Sequence, residues 1–287
     1  MANILAVGIA TLDIINTTDG FPQEDDEVRA SHQEIRRGGN ATNTLVVLSQ
    51  LGHQCQWLGC LADDMSAKII TSDLDHYKIK HSSCEIHHHS VTPTSYITLN
   101  NKNGSRTIVH YRDLPEMSAA TFKRVNPDDF DWIHFEGRNV SETKAMLSDL
   151  NKSYRTFPVS IEIEKNRDEL QDLFTDADIY FFSKAFAVLQ GYSDAESFLR
   201  YYRKKIPSAL LVCTWGSEGA YGLGEDQLHF SKAPKIPAIV DTVGAGDTFI
   251  AGFIHASLEK HNLQARLEYA CEVAAKKCSI TGFKNLI

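Results

Sequence analysis

"VSIEIEKNRDELQDLFTDADIYFFSKAFAVLQGYSDAESFLRYYRKKIPSALLVCTWG", residues 159–216, decides the architecture. It holds three short apolar runs, VSIEIE, ADIYFFS and ALLVCTWG, of the kind that becomes a buried strand. Between the second and third, residues 193–202 follow helical spacing. The same alternation continues toward the N-terminus. ILAVGIA (4–10), QWLGCLA (56–62) and DWIHFEG (131–137) read as strands, and residues 43–51 and 141–150 as helices. Strands separated by helices of this length predict βαβ units and a mostly parallel sheet covered on both faces.

Two stretches break the rhythm. Residues 14–37 and about 84–112 carry alternating β-rich segments, TSYITLN and RTIVHY among them, joined by a turn whose Asn103-Gly104 pair is a hairpin signal. With no helix between them they predict a small antiparallel sheet acting as a lid on one domain that spans residues 1–287. The triplet His87–His89 lies there. Consecutive strand residues point to opposite faces, so the three are read as an exposed lid strand and not as a metal site.

Composition excludes several classes. The 287 residues carry a net charge of −8 and no block of five basic residues, which argues against nucleic acid and anionic membrane as partners. The N-terminal apolar run lacks a basic flank and contains Asp13, so it reads as a buried strand and not as a signal peptide. No apolar run reaches membrane-spanning length. Six scattered cysteines without a CxxC fit free thiols in the cytoplasm.

DTVGAGDTFIAGFIHA (241–256) carries the chemistry. Phe249, Ile250, Phe253, Ile254 and Leu258 share one helical face, so Asp247 falls in the first turn. The N–H groups of Gly244, Ala245 and Gly246 then lack intrahelical partners and suit an anion. Asp247 alone fits a helix cap equally well. Beside two glycines it fits phosphoryl transfer, the acid accepting a hydroxyl proton while the amides hold the transferred group. Neither a Walker loop nor a complete GxGxxG is present. Asp13, read as closing the first strand, lies where α/β sheets bind ligands, or is a turn residue. In GGNATN, Gly39 permits close approach, and Asn40 and Asn43 present amides suited to vicinal hydroxyls, or act as caps.

DTVGAGDTFIAGF (241–253) resembles the C-terminal signature of the ribokinase-like (pfkB) carbohydrate kinases, and RRGGNATNTLVVLSQLG (36–52) their N-terminal one. GSRTI, DWIHFEGRN, EIEKNRDEL, LVCTWGSEGA and AAKKCSITGF extend the resemblance over essentially the whole chain, toward the members that phosphorylate fructose. It implies a three-layer α/β sandwich with a small β lid, and ATP-dependent phosphorylation of a ketose, D-fructose on its 1-hydroxyl. The implied roles are Asp247 as general base and residues 244–246 as anion hole. Asp13, Gly39, Asn40 and Asn43 would contact the sugar, and Arg106 would reach the phosphates from the lid. Thr214, Trp215, Gly216, Ser217 and Cys278 would take the nucleotide. Ribokinases carry lysine where this chain has Asn40, which favours a ketose pocket.

The resemblance further implies Mg²⁺, a K⁺ ion near Asp241 and Thr242, and a homodimer through the lid. The Asn-x-x-Glu motif of many members is replaced here by FFSKAFAV, so no Mg²⁺ ligand is assigned. Lys184 is expected to supply charge to the phosphates, and Glu162 and Glu164 either hold metal-bound waters or are strand-end surface charges. The alternatives are a kinase for ribose, a nucleoside or a sugar phosphate, and a non-catalytic sugar or nucleotide sensor.

Overall fold

All six apolar runs lie side by side as parallel strands. The computed structural model describes residues 1–152, 155–225 and 227–287. In chain order the first strands are β1 (Asn3–Val7), β2 (Thr11–Thr18), β3 (His32–Gly38), β4 (Gln54–Leu58), β5 (Cys60–Ala62) and β6 (Glu85–His87). They are followed by β7 (Thr94–Asn100), β8 (Arg106–Tyr111), β9 (Trp132–Glu136), β10 (Val159–Ile163), β11 (Ile179–Ser183), β12 (Leu210–Thr214), β13 (Gly219–Leu223) and β14 (Leu228–Lys232). The helices are α1 (Asn40–Gln50), α2 (Met65–His76), α3 (Ala119–Phe122), α4 (Val140–Asn151), α5 (Lys184–Leu189), α6 (Ala195–Lys205), α7 (Ala245–Leu258) and α8 (Leu263–Cys278).

The large sheet has eight strands in the order β14-β13-β12-β11-β10-β9-β1-β4. Its six strands from β12 to β4 are parallel, and β13 and β14 continue it as an antiparallel edge. Period-two alternation divides its side chains between two cores. Leu5, Val7, Phe135, Phe182 and Leu211 face one. Ile4, Ala6, Trp57, Phe181 and Val212 face the other, where Phe249 and Phe253 of α7 and Leu267 of α8 also pack. Burial on both faces is why these strands are nearly continuous in apolar residues. Helix starts are fixed locally: Asp64 accepts from Ala67 N, Asp194 from Ser197 N and Asn262 from Ala265 N.

Three sequence-based readings need correction. The run 4–10 is strand only to Val7, and Asp13 is not its end but the third residue of β2, in a different sheet. The run 56–62 is two strands. Gly59 separates them because a side chain there would strike Trp57 and the Gly8 carbonyl, and β5 turns away to pair with β6. The histidine triplet is therefore outside the lid strands: His87 ends β6, and His88 pairs with Asp63 at 2.9 Å.

The second sheet runs β3-β2-β7-β8, with antiparallel β2/β3 and β7/β8 pairs and a parallel β2/β7 pair at its centre. It stands over the C-terminal ends of the large sheet's strands and encloses a cleft of about 490 Å³. No helix among the described residues is long and apolar enough to cross a membrane.

Candidate active site

The cleft floor is the start of α7. Gly244 precedes it in left-handed conformation, φ +79°, and a Cβ there would lie 2.3 Å from the Phe283 ring. Glycine is required on both counts. Ala245 donates its N–H to the Thr242 carbonyl over 3.3 Å, so it is not one of the free amides expected from the sequence. Among the described residues the N–H groups of Gly244 and Gly246 have no acceptor. A Cβ on Gly246 would meet nothing within 4 Å, because that position faces the open cleft.

Asp247 does not cap the helix. Its side chain is buried and accepts a 2.7 Å hydrogen bond from Asn43 Nδ2. Asn43 Oδ1 in turn accepts from Arg37 Nη1 at 2.8 Å, and Arg37 Nε pairs with Asp73 at 2.6 Å. Both ends of the Asn43 amide are thus held by protein. Asn40, the first residue of α1, donates to Glu162 Oε1 at 2.9 Å and to Glu164 Oε2 at 3.2 Å.

Asp13 lines the same cleft from β2, oriented by a 3.0 Å hydrogen bond from Thr11 Oγ1. Gly38 makes room for it, since a Cβ there would sit 2.2 Å from Asp13 Oδ2. Gly39, at φ +105°, comes so close to the Ile9 carbonyl that a Cβ would lie 2.3 Å from the oxygen. That contact ties the start of α1 to the loop after β1. Glu136 secures the same junction by accepting from Ile9 N at 3.1 Å and Ala41 N at 2.7 Å.

Burial and crowding of acids set the electrostatics. Burial, followed by the nearby charges of Glu164 and Glu136, pushes the Asp247 carboxyl up to about 7, against the Asn43 hydrogen bond and Arg37. The helix N-terminus favours the anion but does not prevail over burial. Glu162 is raised well above its usual range by burial and by Asp247, Glu164 and Glu136.

Arg106, at the start of β8, reaches over the cleft, its Nη1 lying 3.5 Å from Thr242 Oγ1. Thr214 also lines the cleft. Other residues carried over from the resemblance do not. Trp215 is buried in the core, and Lys184 Nζ pairs with Glu218 at 3.1 Å above the Trp215 ring. Lys184 is engaged in this exposed ion pair and is not part of the cleft lining. Gly216 and Ser217 form a short 3₁₀ turn after β12, outside the cleft lining. Cys278 acts through its backbone, its carbonyl accepting from Val240 N at 2.8 Å and Asp241 N at 3.3 Å.

The sequence reading did not single out several residues. Arg138, Lys165, Arg167, His110 and Ser95 all line the cleft, and Glu136 braces it. The motif segments EIEKNRDEL and DWIHFEGRN contain Lys165, Arg167, Arg138 and Glu136, so a signal for them existed. A second unread feature is fully buried Lys277. With Arg36 it grips Asp241 Oδ2, each at 3.1 Å, and staples the loop that leads into Gly244. Burial works to raise the Asp241 carboxyl, yet these two cations hold it below its usual range.

What the cleft offers is a held carboxylate and unpaired main-chain donors at a helix start, the means of passing a phosphoryl group directly to a hydroxyl. That is the chemistry of a small-molecule kinase on an α/β sheet. Comparison narrows the class: the model of the pfkB family carbohydrate kinases matches residues 1–286, and the chain belongs to that family. It is 41% identical to mouse ketohexokinase over 99% of this chain and 98% of that protein. Its fold matches an Arabidopsis thaliana ribokinase solved with ribose and ATP, at TM-score 0.82, 20% identity and coverage of 98% and 94% of the two chains. A Giardia lamblia ribokinase superposes at TM-score 0.87 with 13% identity, covering 100% and 97%. The protein is therefore an ATP-dependent carbohydrate kinase.

Such a kinase uses Mg²⁺ with its nucleotide, and the donors present fit a hard cation. Glu162 Oε2 is buried without a hydrogen-bond partner, and Glu164 stands beside it, sharing Asn40. Oxygen donors and uncompensated negative charge are what Mg²⁺ and its waters take.

Proposed function

We propose that this kinase phosphorylates a ketose, D-fructose on its 1-hydroxyl, with ATP as donor. The observation that carries the chemistry is the Asn43–Asp247 hydrogen bond beside the free amides of Gly244 and Gly246. The likeness to mouse ketohexokinase supports the acceptor. Asp13, Gly39 and Asn40 orient the sugar, while Asn43 aims the base. Asp247 takes the hydroxyl proton as the oxygen attacks the γ-phosphorus and the bond to ADP breaks. Gly244 and Gly246 N–H with Arg106 hold the phosphoryl oxygens. Bound at Glu162 and Glu164 through its waters, Mg²⁺ would neutralise phosphate charge.

The small sheet serves as the lid that keeps water from the phosphoryl group. Its outer face presents Ile35, Tyr96 and Val109, at 49%, 50% and 67% exposure, in one cross-strand row through Ile14. An apolar row of this kind suits a second copy of the chain, so the lid is also the proposed dimer interface. No role is assigned to K⁺ at Asp241, because Arg36 and Lys277 already supply that carboxylate with cations. Free cysteines fit a reducing compartment such as the cytoplasm.

A second reading rests on Lys165 and Arg167, basic residues that line the cleft beside Arg138, which Glu116 already pairs at 2.7 Å. They suit an acceptor that already carries a phosphate. NMR of the product from fructose and ATP, beside a panel of sugars and sugar phosphates, separates the two. A 1-phosphate supports the first, turnover of a sugar phosphate alone supports the second, and the absence of ADP release with every acceptor tried leaves a sensor. Asp247→Asn should lower kcat about 10²–10⁴-fold while ATP and sugar still bind. Normal turnover in that variant removes the base assignment.

A further inference from the structure

Outside the cleft, the β5/β6 pair gathers three side chains of metal-ligand type. Cys60 and Glu85 are register partners in this parallel ladder, and His87, two residues beyond Glu85, shares its face. The Cys60 Sγ, a Glu85 carboxylate oxygen and a His87 ring nitrogen lie within 4.8 Å of one another, the one group of this kind among the described residues.

Two details distinguish the trio from an ordinary polar cluster. His87 Nε2 is buried and has no hydrogen-bond partner, although it sits 3.3 Å from Glu85 Oε1. A contact of that length without hydrogen-bond geometry matches the ligand-to-ligand edge of a tetrahedral site with bonds of about 2.0–2.1 Å. Glu85 is also pre-oriented, because its Oε2 accepts a 2.7 Å hydrogen bond from Thr121 Oγ1 and Oε1 is left toward His87.

We propose that Cys60, Glu85 and His87 bind one borderline divalent transition-metal ion, Zn²⁺ by donor chemistry, distinct from the Mg²⁺ of the nucleotide. A sulfur, a nitrogen and a carboxylate oxygen form a donor set that Zn²⁺ accepts and Mg²⁺ does not. Three protein ligands leave the fourth position to water. Thiolate and carboxylate together balance the ion's charge. Burial, then Glu85, pushes the free Cys60 thiol up to about 12, so the metal must displace a proton from sulfur on binding. The ion would clip β5 to β6. Cys60 also lines a small cavity with Gly8, Ile9 and Ala10, the link that leads into β2 and Asp13.

Titration of the metal-free full chain with Co²⁺, in excess Mg²⁺, tests this. The expected result is one Co²⁺ per chain with a thiolate-to-cobalt charge-transfer band, bleached by one equivalent of Zn²⁺. The band should vanish in both Cys60→Ser and His87→Gln, each with kinase activity retained. No charge-transfer band in the native chain overturns the site without recourse to any variant. A band that survives either substitution in a protein of native circular dichroism overturns it as well, since the ion then sits on another thiol, or on Cys60 without His87.

Discussion

The Asn43 side chain donates to the Asp247 carboxylate across 2.7 Å, although 204 residues separate them in the chain. This bond favours the ionised acid, while Glu164 opposes it. Opposite pH shifts follow. The acidic limb of kcat/KM should lie near the value of about 7 set chiefly by burial, with activity rising as the base loses its proton. Asn43→Ala should move that limb to higher pH and Glu164→Gln to lower pH. A pH–rate profile of the three proteins checks this, and parallel shifts would show that another group governs the limb.

The two glycines of the turn should separate stability from chemistry. Gly244→Ala meets Phe283 and a positive φ, so it should lower the melting temperature. Gly246→Ala meets no protein atom. It should keep or raise stability, by up to about 1 kcal/mol through loss of unfolded-state freedom. Its methyl would nevertheless intrude where the phosphoryl group is held, so kcat should fall. Thermal melts beside steady-state kinetics decide whether the cleft face of this turn binds the transferred group.

Arg106 and Lys184 should differ sharply despite equal charge. Arg106 reaches the loop before the anion hole, whereas Lys184 is paired with Glu218. Arg106→Ala should lower kcat at least about 10-fold, in line with a loss of one charge-assisted hydrogen bond of about 1.5–3 kcal/mol. Lys184→Ala should change kcat less than about 5-fold, because an exposed ion pair contributes at most about 1 kcal/mol. Kinetics at saturating sugar with ATP varied would reverse both assignments if Lys184→Ala proved the slower enzyme.

How much of this was legible in the chain depended on the range of the cause. The six parallel strands were, because burial on both faces writes apolar runs that need no partner to be seen. The break at Gly59 was not, since the contact that enforces it comes from the Gly8 carbonyl, far away in sequence. Asp247 could be located by helical spacing. Its raised carboxyl could not, because Glu136 and Glu164 reach it only through the fold of β9 and β10. Lys184 looked free for the same reason that Lys277 looked ordinary: neither Glu218 nor Asp241 is near in sequence, and charge pairing is a property of the fold.

Glu162 gives the clearest test of the metal position. Burial and three neighbouring carboxylates raise its folded-state value above that of the unfolded chain, so ionising it costs the folded state. Its stabilising effect as a neutral acid is complete at low pH and is lost as pH rises through the raised folded value. Glu162→Gln, which stays neutral, should therefore melt at a higher temperature than the native chain at alkaline pH and differ little in acid. Mg²⁺ should raise the melting temperature of the native chain under alkaline conditions by neutralising the same charge, and should do so less in Glu162→Gln. Equal Mg²⁺ shifts in both proteins would move the ion away from Glu162, whatever the variant's turnover.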